Sequence, residues 1–232
     1  MPSLYRQSMS SPFLKLIQQG LTAEVASQVH DNPSLATARD PQGVSPLLWS
    51  IYFGQPLVRD FLIAHLSESG IALDIFEVAA TGDQPQLQSL LAADPELVHA
   101  FSGDGWTPLH LAAAFATPAA VAVLLNAGAS VTAVSQNPQQ NQPLHAALAL
   151  GKNAAIVVLL LGHGAPVNTP QAGGFTPIFS AASASRRDLA ELLLAHGAHP
   201  HQTSDAGKTP SDFARDRGHS DLAAWLESQP KT

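Results

Sequence analysis

Cysteine is absent from the 232-residue sequence, which excludes a disulfide framework and a cysteine nucleophile. Long apolar runs are absent as well. No stretch approaches the roughly 18 apolar residues that a membrane span requires, so no membrane-spanning helix is expected. The beginning of the chain is polar, and the apolar run at 13–17 is too short for the core of a signal peptide. We therefore expect a cytoplasmic protein.

Positive charge is also scarce. The chain has 11 Lys and Arg residues against 18 Asp and Glu, with a net charge of −7 and a pI of about 5.7. The close basic pairs, Arg186-Arg187 and Arg215/Arg217, each have an aspartate beside them. Because binding to nucleic acids and anionic membranes requires clustered positive charge, neither is an expected partner.

Catalytic motifs are missing too. The sequence has no G-x-S-x-G nucleophile elbow, no P-loop and no dinucleotide-binding fingerprint. We therefore predict no catalytic residues and no cofactor, and we expect that the protein is not an enzyme.

The most informative stretch is Gly105–Ala113, which reads G-W-T-P-L-H-L-A-A. Thr107 is a good helix N-cap, and Pro108 suits the first helical position because its missing N–H is not needed there. Leu109 and the alanines that follow at helical spacing give the helix a thin apolar face. The stretch therefore predicts the start of a short helix that packs closely against a neighbour.

This unit recurs along the chain. Pro108, Pro143, Pro177 and Pro210 follow one another at intervals of 35, 34 and 33 residues, and Pro46 lies 62 residues before Pro108. A period of about 33 residues with the pattern T-P-L-H-x-A is the ankyrin signature. Over roughly residues 13–228 the chain therefore resembles the ankyrin repeat family.

The resemblance implies an all-α solenoid of about seven helix-turn-helix repeats with β-hairpin fingers between them, in which the first and last repeats act as caps. We expect a flexible tail at residues 1–11, a single domain at 12–228 and a C-terminal tail at 229–232. A monomer is expected. The composition, rich in alanine, glutamine and proline and poor in lysine, is typical of a bacterial protein, and export as an effector stays open.

Two repeats depart from the pattern. In repeat three the segment Ser67–Leu73 is too short for a finger, so we predict that Asp74 caps the next helix directly and that the row of fingers has a gap. In repeat five the finger is two residues longer, within 134–140. Gln142 replaces the capping threonine there, so a weaker cap is expected, and Leu148 and Ala149 are predicted to face the concave side.

In the family, the fingers and the inner faces of the first helices form the binding surface, and the resemblance implies the same here for a protein partner. Tyr52, Phe53 and Phe115 fit binding and local packing equally, whereas Trp106, Phe101 and Phe175 fit packing on neighbouring fingers better. The predicted partner-binding residues are Arg39, Asp40, Gln42, Tyr52, Phe53, Asp104, Trp106, Phe115, Gln139, Gln140, Phe175, Asp205, Lys208 and Arg217.

The ten histidines leave one alternative open. His110 and His145 belong to the repeat motif, where the resemblance implies structural hydrogen bonds. His196, His199 and His201 form a cluster in the sequence, and on a strand His199 and His201 would face the same side. No Cys or Glu lies nearby to complete a site, so no metal is predicted. The alternative interpretation is a regulatory or inhibitory partner of an enzyme, with this histidine-containing finger as a metal- or pH-sensitive element.

Overall fold

The computed structural model describes residues 11–151 and 153–230. These residues form short helices in seven consecutive pairs, and each pair is one repeat. Residues 1–10 of the N-terminal tail predicted at 1–11 and the last two residues lie outside the described part. In the C-terminal tail predicted at 229–232, the carbonyl of Gln229 accepts a hydrogen bond from His201. The helices are α1 Pro12–Gln19, α2 Thr22–Asp31, α3 Pro46–Tyr52, α4 Pro56–Glu68, α5 Ile75–Thr81, α6 Gln84–Ala93, α7 Pro108–Phe115, α8 Pro118–Asn126, α9 Pro143–Ala146, α10 Ala154–Gly162, α11 Pro177–Ser183, α12 Arg187–Ala195, α13 Pro210–Asp216 and α14 Ser220–Glu227.

The helices pack in two layers. The first helices of neighbouring repeats contact one another, as α5 does with α7 and α7 with α9, while second helices contact second helices, as α6 does with α8. One apolar core runs through the stack from Phe13 to Leu226. This arrangement confirms the predicted all-α solenoid. None of the described helices is long and apolar enough to cross a membrane.

The motif residues begin the first helices as predicted. Thr107 accepts a hydrogen bond from the backbone N–H of His110, and Pro108 occupies the first turn of α7. Thr209 caps α13 in the same way. Because these caps satisfy backbone donors that would otherwise be unpaired, each short helix has a defined first residue.

The fingers are hairpin turns rather than paired strands. The chain reverses direction in each finger as predicted, but the two arms do not form the ladder of hydrogen bonds of a β-hairpin. In repeat four, the N–H of Ser102 donates to the carbonyl of Trp106 at 2.8 Å, and the other fingers close similarly. The described residues contain a single isolated bridge, between Gln171 and Phe175. Each finger is too short for a ladder, because its two arms run apart into helices.

Adjacent fingers are joined by backbone hydrogen bonds. Gln136 donates to the carbonyl of Gly105 at 2.8 Å, Ala172 to that of Gln139 at 2.9 Å, and Asp205 to that of Gly173 at 3.0 Å. The fingers of repeats four to seven therefore form a continuous row.

Repeat three has no finger, and Asp74 caps α5 as predicted, but the expected gap is not open. The finger of repeat two lies directly on that of repeat four: a methyl carbon placed on Gly103 would be 2.1 Å from the carbonyl oxygen of Gln42. Tyr52 also donates a hydrogen bond to Asp104 across the same junction, at 2.9 Å. The two neighbours close over the missing finger, which sequence spacing could not show.

Repeat five is irregular in its first helix. The side-chain amide of Gln142 donates to the carbonyl of Thr132 instead of capping α9, in agreement with the predicted weak cap. After Ala146 the chain continues as a π-helix over Ala147–Gly151. Leu148 is consequently fully buried and Leu150 is 49% exposed, so the prediction that Leu148 faces the concave side is wrong.

Replacing Asp74 with alanine is expected to lower the free energy of unfolding by about 1–2 kcal/mol. One carboxylate oxygen accepts from the N–H groups of Phe76 and Glu77, and the other accepts from Arg39 at 2.6 Å. Urea denaturation should show a clearly smaller loss, below about 1 kcal/mol, for Arg39→Gln, which removes the half-exposed ion pair and a hydrogen bond to the carbonyl of Gly43 but leaves the helix cap in place. Equal losses in the two variants would contradict the capping role.

Candidate functional site

A pocket with aromatic walls lies between the fingers and the first helices of repeats two, four and five. Its volume is about 370 Å³. We call it the aromatic pocket; its lining residues are Trp49, Tyr52, Trp106, Phe115, Gln139, Asn141, Ala146, Ala149, Leu150 and Gln171. The rings of Tyr52 and Phe115 stack with centroids 5.4 Å apart, and Phe115 lies 6.4 Å from Trp106.

The aromatic pocket exists because repeat three carries small residues at the corresponding positions. Counted from the N-caps Ser45, Asp74 and Thr107, the positions of Phe53 and Phe115 are matched in repeat three by Gly82. No ring therefore projects from the end of α5, whose aromatic residue Phe76 lies in its first turn, and Tyr52 and Phe115 stack on each other there. A methyl carbon on Gly82 would approach Ala116 to 3.2 Å, which shows how closely repeat four packs there.

The walls of the aromatic pocket carry no charged side chain. Asp104 lies beside it, where it accepts hydrogen bonds from Tyr52 and Ser102, and burial raises the pKa of its carboxyl group. Two buried polar atoms of the wall, Nε1 of Trp106 and Oδ1 of Asn141, have no hydrogen-bond partner in the described structure. Buried polar groups are normally paired, so these two atoms are exceptions, and both are covered by the surrounding wall.

A second pocket, of about 420 Å³, adjoins the first and shares Ala149 and Gln171 with it. Its floor is a cluster of three phenylalanine rings, and Phe175 lies 5.1 Å from Phe213. We call it the Arg217 pocket; its lining residues are Ala149, Gln171, Phe175, Phe179, Ser180, Ser183, Ala184, Phe213 and Arg217. The two pockets together form what we call the groove.

Six of the fourteen predicted binding residues line the groove, namely Tyr52, Trp106, Phe115, Gln139, Phe175 and Arg217. Tyr52 and Phe115, which sequence left open between binding and packing, each pack on a neighbouring ring and also line the aromatic pocket, so their part in binding stays a prediction. Phe53 is different: it stacks on Trp49 at 5.0 Å and does not line either pocket.

The other predicted residues hold the fingers. Asp40 accepts from the N–H groups of Gln42 and Val44 and from Nε1 of Trp49 at 3.0 Å. Arg39 forms an ion pair with Asp74, and Lys208 forms one with Asp216. The carbonyl of Gln42 contacts Gly103, and the backbone N–H of Asp205 donates to the carbonyl of Gly173. Gln140 occupies the turn of its finger with a positive φ of 47°.

Sequence reasoning missed Leu150 and Phe213, and assigned Trp49 only to its helix. A signal for Leu150 was available in the spacing of the caps. The N-caps of the two helices are Gln142 and Asn153 in repeat five, 11 positions apart, but Thr107 and Thr117 in repeat four, 10 apart. A π-helix absorbs one extra residue, and such turns are frequent at functional sites.

The histidines do not assemble into a site. His201 is hydrogen-bonded through Nε2 to the carbonyl of Gln229 at 2.9 Å, and His196 through Nδ1 to that of Leu192. Within residues 11–151 and 153–230, no three His, Asp or Glu side chains are placed to hold a metal ion. Nothing in this geometry favours the metal-sensitive finger.

Stacked helix pairs with a groove along one side define a helical repeat protein of the kind that binds other proteins. Comparison with known sequences identifies the family to which the chain belongs. A family model for three copies of the ankyrin repeat matches residues 75–171, and a model for a single ankyrin repeat matches residues 173–205. Together they span more than half of the chain, which therefore belongs to the ankyrin repeat family, a family that is generally a non-catalytic interaction module.

Curated relatives are consistent with this membership. The chain is 28% identical over 200 residues to the probable 26S proteasome regulatory subunit p28 of Saccharomyces cerevisiae, with 82% of each chain covered. It is 33% identical over 164 residues to human neurogenic locus notch homolog protein 4, covering 68% of this chain and 7% of that protein. It is 33% identical over 154 residues to the neurogenic locus Notch protein of Drosophila melanogaster, covering 66% and 5%.

Proposed function

We propose that this protein binds a protein partner through the groove, with the aromatic pocket as the main point of attachment. The observation that carries the proposal is the group of large side chains around this pocket, which includes Leu150 at 49% exposure. Binding energy at protein interfaces is concentrated in a few large, mainly aromatic side chains that fill or line pockets. The volume of about 370 Å³ suits one large side chain of a partner.

The chemistry of the groove supports a protein rather than another class of partner. Apolar rings and uncharged amides line the aromatic pocket, and the net charge of −7 disfavours polyanions. The yeast relative, which this chain matches over most of its length, is a probable 26S proteasome regulatory subunit, and this agrees with the proposed function. We expect a monomer that acts in the cytoplasm. The relatives named here are eukaryotic, so the bacterial origin inferred from composition stays a prediction.

Replacing Leu150 with serine is expected to reduce partner capture from a lysate of the source organism at least about tenfold, because it removes an exposed apolar side chain at the centre of the groove. The matched control is Val158→Ser, on the outer helix of the same repeat. The two side chains are exposed to 49% and 50% respectively. The comparison therefore shows whether a loss of binding depends on the position of the side chain in the groove or only on the removal of an exposed apolar side chain.

Circular dichroism of both variants establishes that each is folded before capture is compared. Native-like capture by Val158→Ser together with loss by Leu150→Ser supports the groove. Retention of the same partner by Leu150→Ser, or equal loss in both variants, would refute the assignment of binding to the groove.

A further inference from the structure

We propose that the groove binds an extended partner segment carrying one large uncharged side chain and, about four to six residues away, a carboxylate. The uncharged side chain enters the aromatic pocket, and the carboxylate is bound by Arg217. This inference rests on the proposed function and specifies the chemistry of the partner.

Arg217 differs from the other arginines of the described chain in its ion pairing. The other arginines of the described chain, Arg39, Arg59, Arg186, Arg187 and Arg215, each make an ion pair with a carboxylate. Arg217 is exposed, forms no ion pair with the described residues and is the one charged residue that lines its pocket. The neighbouring Asp216 is already paired with Lys208. An exposed arginine without an ion pair is available to an anion, and its planar fork fits a carboxylate.

The surroundings of Arg217 strengthen the attraction. Phe175, Phe179 and Phe213 form an apolar floor, and a charge-assisted hydrogen bond is stronger against such a surface than in open water. The whole chain carries a net charge of −7, so most of its surface repels acidic segments. Arg217 therefore acts as a local exception that sets position and orientation.

The aromatic pocket selects the other side chain. Its lining consists of aromatic rings, short aliphatic side chains and uncharged amides. A charged group would lose its hydration there without gaining a counter-ion. A large apolar or aromatic side chain gains contact with these walls without such a loss.

The spacing follows from the repeat geometry. The aromatic pocket is lined by α3, α7, α9 and the π-helix, and the Arg217 pocket by the π-helix, α11 and α13. Neighbouring helices pack roughly 8–10 Å apart, which puts the two pocket centres about 12–20 Å apart. An extended chain advances about 3.3 Å per residue, so this distance corresponds to about four to six residues. Because the pockets share Ala149 and Gln171, one segment can occupy both.

The test is a selection of phage-displayed random 12-residue peptides on the full-length protein, followed by fluorescence polarisation with synthetic copies of the enriched peptides. Enriched peptides are expected to combine a large apolar residue with an Asp or Glu about four to six residues away. Arg217→Gln is expected to weaken their binding on the order of tenfold, as is replacement of the peptide's acidic residue by its amide. Arg59→Gln, on the outer helix α4, makes the same change in net charge and should change binding less than about twofold.

The outcomes separate this inference from the proposed function. Peptides that lose binding to Leu150→Ser but bind Arg217→Gln normally would overturn the carboxylate site and leave the groove as the binding surface. Enriched peptides without an acidic residue at this spacing would have the same meaning. The absence of any enriched peptide would overturn the extended segment as ligand, while capture of a folded partner by the native protein but not by Leu150→Ser would still support the proposed function.

Discussion

Lowering the pH from 7.5 to 5.0 is expected to reduce the free energy of unfolding by about 4 kcal/mol through two buried histidines. Burial lowers the pKa of His110 and that of His145 to about 4, from an ordinary value of 6.5. Both belong to the repeat motif, and both are almost inaccessible, at 0% and 1% exposure.

Burial is the main reason why protonation of His110 is unfavourable in the folded state, and the hydrogen bond at its Nδ1 acts in the same direction. Its Nε2 faces the carbonyl oxygen of Asn141 at 3.0 Å and therefore carries the proton of the neutral ring. Its Nδ1 accepts from Thr107, at 2.7 Å from the hydroxyl oxygen. A second proton would convert this acceptor into a donor facing a donor, in a site where charge is already poorly solvated.

The sign of the pH dependence follows from the protons bound in each state. Above pH 6.5 both histidines are neutral in the folded and unfolded chains, so they add no pH dependence. Between about pH 6.5 and 4 the unfolded chain binds protons that the folded chain excludes, and stability falls with pH. At pH 5.0 the difference is about 2 kcal/mol for each histidine.

Two carboxyl groups act in the opposite direction. Burial raises the pKa of Asp104 and also that of Glu77, for which the nearby Asp74 is a second cause. These groups take up protons more readily when folded, so their contribution to stability rises as the pH falls. We expect them to offset part of the loss, with the histidines still setting the direction between pH 7.5 and 5.0.

Urea denaturation at pH 7.5, 6.0 and 5.0 measures this dependence. His145→Gln can preserve an acceptor for the backbone N–H of Gln142, which now donates to Nδ1 at 3.2 Å. This variant is expected to lose only about half as much stability as the native protein over the same pH interval. A native free energy of unfolding that stays constant or increases on acidification would show that the buried histidines do not control the pH response.

Local patterns in the sequence predicted most of the fold. The Thr-Pro starts, the repeat period and the missing finger before Asp74 all depend on residues that are close in sequence, and all agree with the structure. The Arg39–Asp74 ion pair and the contact of Gln42 with Gly103 join residues about 35 and 61 positions apart, and no local pattern encodes them.

The candidate site was harder to predict for the same reason. The aromatic pocket combines residues of repeats two, four and five, and it depends on small residues in repeat three that permit Tyr52 and Phe115 to stack. Position within a regular helix also misplaced one side chain: the π-helix buries Leu148 and exposes Leu150. Sequence indicated the side of the solenoid on which the pocket lies, but the pocket itself depends on two local irregularities.

Replacing Gly103 with alanine is expected to destabilise the protein by about 1–3 kcal/mol and to open the junction between the fingers of repeats two and four. The added methyl carbon would lie 2.1 Å from the carbonyl oxygen of Gln42 and 2.9 Å from the α carbon of Gly43, and backbone atoms cannot move aside as a flexible side chain can. Separation of these fingers would also strain the Tyr52–Asp104 hydrogen bond and the stacking of Tyr52 on Phe115.

The control is Gly162→Ala, a helical position with no atom within 4 Å of the added carbon, which is expected to be neutral or stabilising by up to about 1 kcal/mol. Urea denaturation followed by circular dichroism measures stability, and tryptophan fluorescence reports on Trp49 and Trp106 at the junction. Equal stability of the two variants, with native fluorescence in Gly103→Ala, would show that the junction does not depend on close contact between these fingers.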